Sequence, residues 1–225
     1  MASIAGKSLI HRVWERCIKA CPEEKVFVAT DDKRIADHCD ELAIQVIMTK
    51  SECLTGTDRV YEVAKQIDSD IYINVQGDEP LIKPADIEVV IRTAINHPGQ
   101  VINAMCCIEN EEEFRSPSVP KVVAKANGEL MFMSRAAIPT TKKLGIKKAF
   151  KQVCIYAFPK KALALFGKTI EKTQIEEIED IEILRFLELG IDVKMVEVSD
   201  ASIAVDYPDD ILRVEKALRE RSNEI

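Results

Sequence analysis

No stretch of this 225-residue chain approaches the roughly 18 consecutive apolar residues that a membrane-spanning helix requires, although hydrophobic residues make up 47 % of it. The start also lacks the basic-then-apolar layout of a secretory leader, so the expectation is a cytoplasmic protein that engages no membrane. Basic excess is missing too. Lys and Arg number 31 against 38 Asp and Glu, the formal net charge is -7 and the pI is near 5.2, which argues against a surface built to coat nucleic acid. No run of about five or six like charges marks a tail, and there is neither an internal repeat nor a low-complexity linker. The seven cysteines (Cys17, Cys21, Cys39, Cys53, Cys106, Cys107 and Cys154) are odd in number and contain no CxxC pair. They are expected as buried free thiols of a reducing compartment. His11, His38 and His97 have no partners at metal-ligand spacing and read as surface or packing residues. What is present is enough apolar sequence for a continuous core and a charge balance that suits a small ligand.

Strand and helix patterns alternate through the first hundred residues. Leu9, Ile10, Val13, Trp14, Cys17 and Ile18 recur at helical spacing, residues 25–30 (KVFVAT) are β-rich, 33–42 read as a helix and 46–48 as a strand. This order predicts an α/β fold with a parallel sheet. After TGTDR (55–59) come an amphipathic helix through Ile67, a strand ending in QGDEP, a helix begun by Pro84 and Asp86, and the strand 101–108. The rhythm changes over 120–135, where two β-rich runs meet at Asn127-Gly128, a dipeptide that favours a type I′ hairpin turn. The basic stretch 142–151 reads as a surface loop and 151–158 as a returning strand. Apolar residues at 175, 178, 181, 184 and 187 predict one helix, ended by Gly190. A strand at 193–198 and a helix at 208–221 close the chain. The reading is a single domain, residues 1–225, with an antiparallel insertion over approximately 109–158.

Two acidic motifs stand out, NVQGDEP at 74–80 and VDYPDD at 205–210. Asp78 falls just beyond a hydrophobic strand, where an open α/β sheet keeps its ligands, and Asp206 precedes a helix. Brought together, two such carboxylates can hold Mg²⁺ on nucleotide phosphates, because the ion takes hard oxygen donors, usually one or two carboxylates plus phosphate oxygens. Each motif has a plainer alternative. Gly77-Asp78 suits an ordinary turn, and Asp206 suits a helix cap ahead of Pro208, a role compatible with metal binding. TGTDR offers Thr55 and Thr57 hydroxyls, Gly56 and Arg59 to a base or phosphate, and equally reads as a capped helix with Asp58 near its positive end. Ser134 and Arg135 either orient an anionic substrate or close a loop. Together the motifs read as a nucleotide-handling enzyme.

The order of VATDD (28–32), TGTDR (55–59), YINVQGDEPLI (72–82), FMSRAAIP (132–139), IYAF (155–158), LRFLELG (184–190) and VDYPDD resembles the CMP-KDO synthetases, the 3-deoxy-manno-octulosonate cytidylyltransferases, over nearly the whole chain. The resemblance implies a Rossmann-like, mostly parallel sheet of the nucleotide-diphospho-sugar transferase type, with an inserted antiparallel region that dimerises. It implies transfer of CMP from CTP to KDO or a related 2-keto sugar acid with release of pyrophosphate, for surface polysaccharide synthesis. Mg²⁺ would be the cofactor. By match of position, Asp78 and Asp206 are the metal-binding and catalytic aspartates, Arg59 and Gln76 line the nucleotide site, and Arg135, Gln152, Tyr156 and Glu182 surround the sugar.

Three departures accompany the likeness. The family's opening strand and phosphate loop, IPARxxSxRLPGKPL, have no counterpart, and the chain begins at the segment that follows them. Gln152 and Cys154 replace His and Gly of HxGIYxY, and Ile183 replaces Gln in the late Glu-Gln pair. The nucleotide chemistry is expected to persist with altered sugar contacts. Two alternatives stay open: a nucleotidyltransferase of the same fold with another acidic acceptor, and a non-catalytic protein that dimerises or binds nucleotide.

Overall fold

The computed structural model describes residues 2–169, 171–199, 203–205 and 207–223. Its contacts group the chain into two compact units, one formed by Met1–Ser51, Val75–Glu88 and Ala201–Ile225, the other by Glu52–Asn74 and Val89–Asp200.

The first unit opens with two-residue strands β1 (Ser3–Ile4) and β2 (Lys7–Ser8), paired antiparallel. Ala5 and Gly6 turn between them at φ 44° and 80°, the two left-handed residues that a tight hairpin of this twist needs. Ser8 then caps α1 (Leu9–Ala20) by accepting the His11 N–H. The expected βαβ unit follows as β3 (Val28–Thr30), α2 (Lys33–Glu41) and β4 (Val46–Met48), with β3 and β4 parallel in the register Val28↔Val46. Val28, Cys39 and Ile44 form a core beneath Ile10, Trp14 and Ile35 of the helices. Beyond 207, α9 (Pro208–Asn223) packs Val214 against Ile4 and Leu81.

The second unit begins with α3 (Gly56–Ala64) and β5 (Ile71–Val75), whose last residue belongs to the first unit, as do the opening residues of α4 (Pro84–Asn96). Next come β6 (Val101–Cys107), the short α5 (Glu111–Arg115), β7 (Lys121–Ala124), β8 (Leu130–Ser134) and β9 (Phe150–Pro159). Helices α6 (Lys160–Phe166), α7 (Gln174–Glu179) and α8 (Ile183–Glu188) precede β10 (Val193–Glu197). The sheet runs β10-β6-β9-β7-β8, with β5 also on β9. β10 lies parallel to β6, while β7, β8 and β9 join by antiparallel pairings. Tyr156, Phe158 and Phe186 stack in series through its core, with Phe166 tilted against Phe186.

Several sequence expectations need correction. Asn127-Gly128 does not form a type I′ turn, since only Gly128 has positive φ. Its N–H closes a turn on the Lys125 C=O at 2.8 Å, and the Lys125 N–H reaches the Glu129 C=O at 2.8 Å. The loop is longer because the hairpin register shifts at Val123/Ala124. The helix expected over 175–189 is two helices, broken at Asp180 in the left-handed region (φ 50°). The predicted stripe is broken with it, since Ile178 is 75 % exposed while Ile181 and Leu184 are buried. All seven cysteines are free, as expected, but only Cys39 and Cys106 are fully buried. Among the described residues no helix is long and apolar enough to cross a membrane.

Candidate active site

In the first unit, Gln76, Gly77 and Asp78 form the turn after β5. The Val205 N–H donates to the Asp78 backbone C=O at 2.9 Å. This bond fastens the residue just before Asp206 onto the QGDEP turn, so two motifs remote in sequence share one locality. Asp206 itself lies outside the described residues. The start of α9 is served by Asp210, whose carboxylate accepts the Tyr207 N–H at 2.9 Å, the reach-back arm of a capping box. Asp78 is half-buried, with Oδ1 shut off from solvent. Among the described residues no group of three or more His, Cys, Asp or Glu could cage a metal. Asp78 is a hard oxygen donor, the type that Mg²⁺ takes beside phosphates, where one or two carboxylates are joined by ligands from substrate and water.

At the Ala5-Gly6 turn the neighbouring polar groups find partners within the chain. The Ala5 N–H donates to Glu215 at 2.8 Å, the Lys7 ammonium pairs with Glu15, and Arg12 donates to the carbonyls of Ile4 and Ala5 at 2.7 and 2.9 Å.

In the second unit the TGTDR turn is both a capped helix and part of a larger ionic construction. Thr55 caps α3, accepting the Asp58 N–H at 3.2 Å and donating to the Asp58 carboxylate at 2.8 Å. Arg59 stands half-buried in the first turn of that helix. Glu182, just ahead of α8, accepts the Thr57 backbone N–H at 2.8 Å. Burial pushes the Glu182 carboxyl above its usual range, with the Thr57 hydrogen bond opposing. One turn on, the fully buried Arg185 grips Glu176 through two bonds of 2.6 Å, reaches Asp58 at 3.0 Å, and lies 3.8 Å over the Phe166 ring. The structure thus joins Glu182 to the turn that bears Arg59.

Arg135 is placed differently. Its guanidinium donates to the backbone carbonyls of Glu179, Asp180 and Pro117 at 2.6, 2.8 and 2.9 Å, and its own N–H to the Glu179 carboxylate at 2.8 Å. It holds the C-terminal end of α7, where carbonyls lack helical partners. Its backbone C=O accepts from Lys121 at 2.6 Å, and burial, then the Arg135 charge, pulls that lysine below its usual range. Gln152 and Tyr156 share β9, the former bonded to Asn103 at 2.9 Å and the latter stacked in the core on Phe158. Sequence reasoning gave no role to Glu176, Lys121 or Asn103, and it set Arg185 on a polar face of the late helix, where the structure buries it completely. The one signal for Arg185 was a charge set between the apolar neighbours Leu184 and Phe186.

The cytidylyltransferase family pattern matches residues 1–195. The 3-deoxy-manno-octulosonate cytidylyltransferase of Syntrophotalea carbinolica is 37 % identical over 97 % of this chain and 91 % of that protein. Its counterpart in Escherichia coli is 32 % identical over 92 % and 84 %. The chain belongs to the CMP-KDO synthetase family of cytidylyltransferases. A solved CMP:2-keto-3-deoxy-manno-octonic acid synthetase complexed with CTP superposes on this family member with a TM-score of 0.90 at 31 % identity, over 98 % of this chain and 91 % of that one. The inositol-1-phosphate CTP transferase of T. maritima, at 12 % identity and a TM-score of 0.67 over 97 % and 85 %, shares the fold. The α/β nucleotidyltransferase fold expected from the motif order is therefore present.

Proposed function

We propose that this CMP-KDO synthetase homologue transfers CMP from CTP to the anomeric hydroxyl of KDO or a related 2-keto sugar acid. The sugar oxygen forms a bond to the α-phosphorus as the bond to the pyrophosphate oxygen breaks, and the hydroxyl proton is lost to solvent or base. Asp78 and Asp206 would hold Mg²⁺, which supplies charge neutralisation at the phosphates when bound. Arg59 and Gln76 would bind the nucleotide, and Arg135, Gln152, Tyr156 and Glu182 the sugar side. For Arg135 and Tyr156 that role is one of shaping, since the guanidinium is engaged by carbonyls and the ring is packed in the core. The observation that carries the reading is the Val205–Asp78 bond, which draws the second acidic motif to the first.

Gln152, where the family usually has His, favours a second version of the acceptor, a related keto sugar acid in place of KDO. A cytoplasmic setting fits the net charge and the chemistry of CTP, and a homodimer through β7, β8 and β9 fits the resemblance. Pyrophosphate release with CTP, Mg²⁺ and a panel of keto sugar acids tests the function, and solution mass tests the dimer. Release with CTP and KDO supports the reading; binding of nucleotide without release from any acceptor overturns it in favour of a non-catalytic role.

A further inference from the structure

β9 does not run straight past β6. The register passes from Asn103↔Tyr156 to Ala104↔Val153, so Cys154 and Ile155 bulge opposite no residue of β6. A bulge interrupts the ladder and leaves buried carbonyls in need of donors. Asn103, wholly buried, supplies them, donating through Nδ2 to the carbonyls of Val153 and Ile155 at 3.0 Å each. Carbonyls only accept, so these two bonds fix which end of the Asn103 amide is nitrogen and leave Oδ1 as an acceptor. That oxygen receives Nε2 of Gln152 at 2.9 Å. The Gln152 amide is thereby oriented in turn, nitrogen toward Asn103 and Oε1 away from it. Its backbone N–H is held by the Pro120 C=O at 3.0 Å, so the residue is pinned at both ends.

We propose that Asn103 is a positioning residue for the sugar acceptor: it props the β9 bulge and sets the polarity of Gln152. Gln152 then meets the acceptor as a neutral, oriented carboxamide whose Oε1 takes a hydrogen bond from a sugar hydroxyl and disfavours a carboxylate at that point. An imidazole there would change charge near pH 6.5; the carboxamide does not titrate. The acceptor role rests on the proposed function through Gln152, whereas the prop stands on the geometry of β6 and β9.

The test uses the full chain with Asn103→Leu, Asn103→Asp, Gln152→Met and the Asn103→Leu/Gln152→Met double variant. Hydrogen–deuterium exchange without ligand reads the prop: amides across 153–156 should exchange at least about tenfold faster in both Asn103 variants, because buried carbonyls lose their donors, and stay near wild type in Gln152→Met. Steady-state kinetics reads the positioning. KM for the keto sugar acid should rise about tenfold in each single variant, the worth of one lost hydrogen bond, with KM for CTP within about twofold. The double variant should be no worse than the more affected single one, since both act through one contact. Should Asn103→Leu not fold, Asn103→Asp and Gln152→Met carry the same readouts. Unchanged exchange in the Asn103 variants, additive KM effects, or equal rises for CTP and sugar would overturn the proposal. A wild-type chain that turns over no keto sugar acid, with the exchange result intact, overturns the functional reading and the acceptor role together while leaving the prop.

Discussion

Asp78 engages Val205 through its backbone carbonyl, so a change confined to its side-chain charge should leave the link between the acidic motifs intact. Asp78→Asn is therefore expected to fold normally, with a melting temperature within a few degrees of wild type, while turnover measured by pyrophosphate release falls at least about a hundredfold. Normal turnover in that variant would remove Asp78 from the metal site. Glu182 gives a prediction with the opposite emphasis, on stability. Its carboxyl is raised by burial, so the folded state binds a proton more tightly than the unfolded one. The stabilisation is fully present below the ordinary carboxyl range and is lost as pH rises through the raised folded value. Wild type should therefore lose melting temperature across mildly acidic pH, and Glu182→Gln should flatten that loss; parallel profiles would contradict the assignment. Asp78 stood out in the sequence only through the company of VDYPDD, since a hydrophobic strand followed by Gly-Asp is by itself an ordinary turn. Asn103 did not stand out, since one amide inside the apolar run VINAMCCI carries no periodic signal and its partners lie fifty residues on.

Helix α3 and the α7-α8 pair are held together by ions where a sequence pattern suggested only apolar contact. The spacing at 175, 178, 181, 184 and 187 suggested one helix and was blind to Asp180, whose left-handed turn is secured by Arg135 from just beyond β8. Propensity is local, and a carbonyl cap delivered across the sheet is not. Arg185 is the centre of the construction, and truncating it strands Glu176 and Asp58 without their counter-charge. Arg185→Met is expected to lower unfolding stability by about 3–5 kcal/mol, the usual result of breaking one side of a buried pair, read by chemical denaturation. A loss below about 1 kcal/mol would show that packing on Phe166, which Met retains, carries the contact. The hairpin of β7 and β8 offers a backbone counterpart. Gly128 sits at φ 84°, and a Cβ there would lie 3.0 Å from the Met195 carbonyl oxygen, so Gly128→Ala should cost more than about 1 kcal/mol. The sequence marked that glycine as a turn residue but not its approach to β10, which depends on tertiary pairing.

At the scale of the whole molecule, the chain carries a formal net charge of -7 and is proposed to bind a nucleotide triphosphate of the same sign. Unscreened, that combination disfavours encounter, so a divalent cation on the ligand is expected to strengthen binding. The family likeness was legible because seven short motifs kept their order, even though each is loose alone. The division into two compact units was not, because periodicity marks elements rather than the contacts that group them. Ligand binding is best followed by a global property, the melting temperature. At a free CTP–Mg²⁺ concentration of 100 Kd, linkage stabilises the folded state by about 2.7 kcal/mol. For a chain of this length, that corresponds to a rise in melting temperature of roughly 5–11 °C. Replacing Mg²⁺ with a chelator should reduce the rise to less than about 2 °C at the same CTP concentration, and Asp78→Asn should show the small shift with or without the ion. If CTP stabilises wild type equally with chelator present, the nucleotide is held by cationic side chains alone, and the acidic motifs serve the turn and helix they begin.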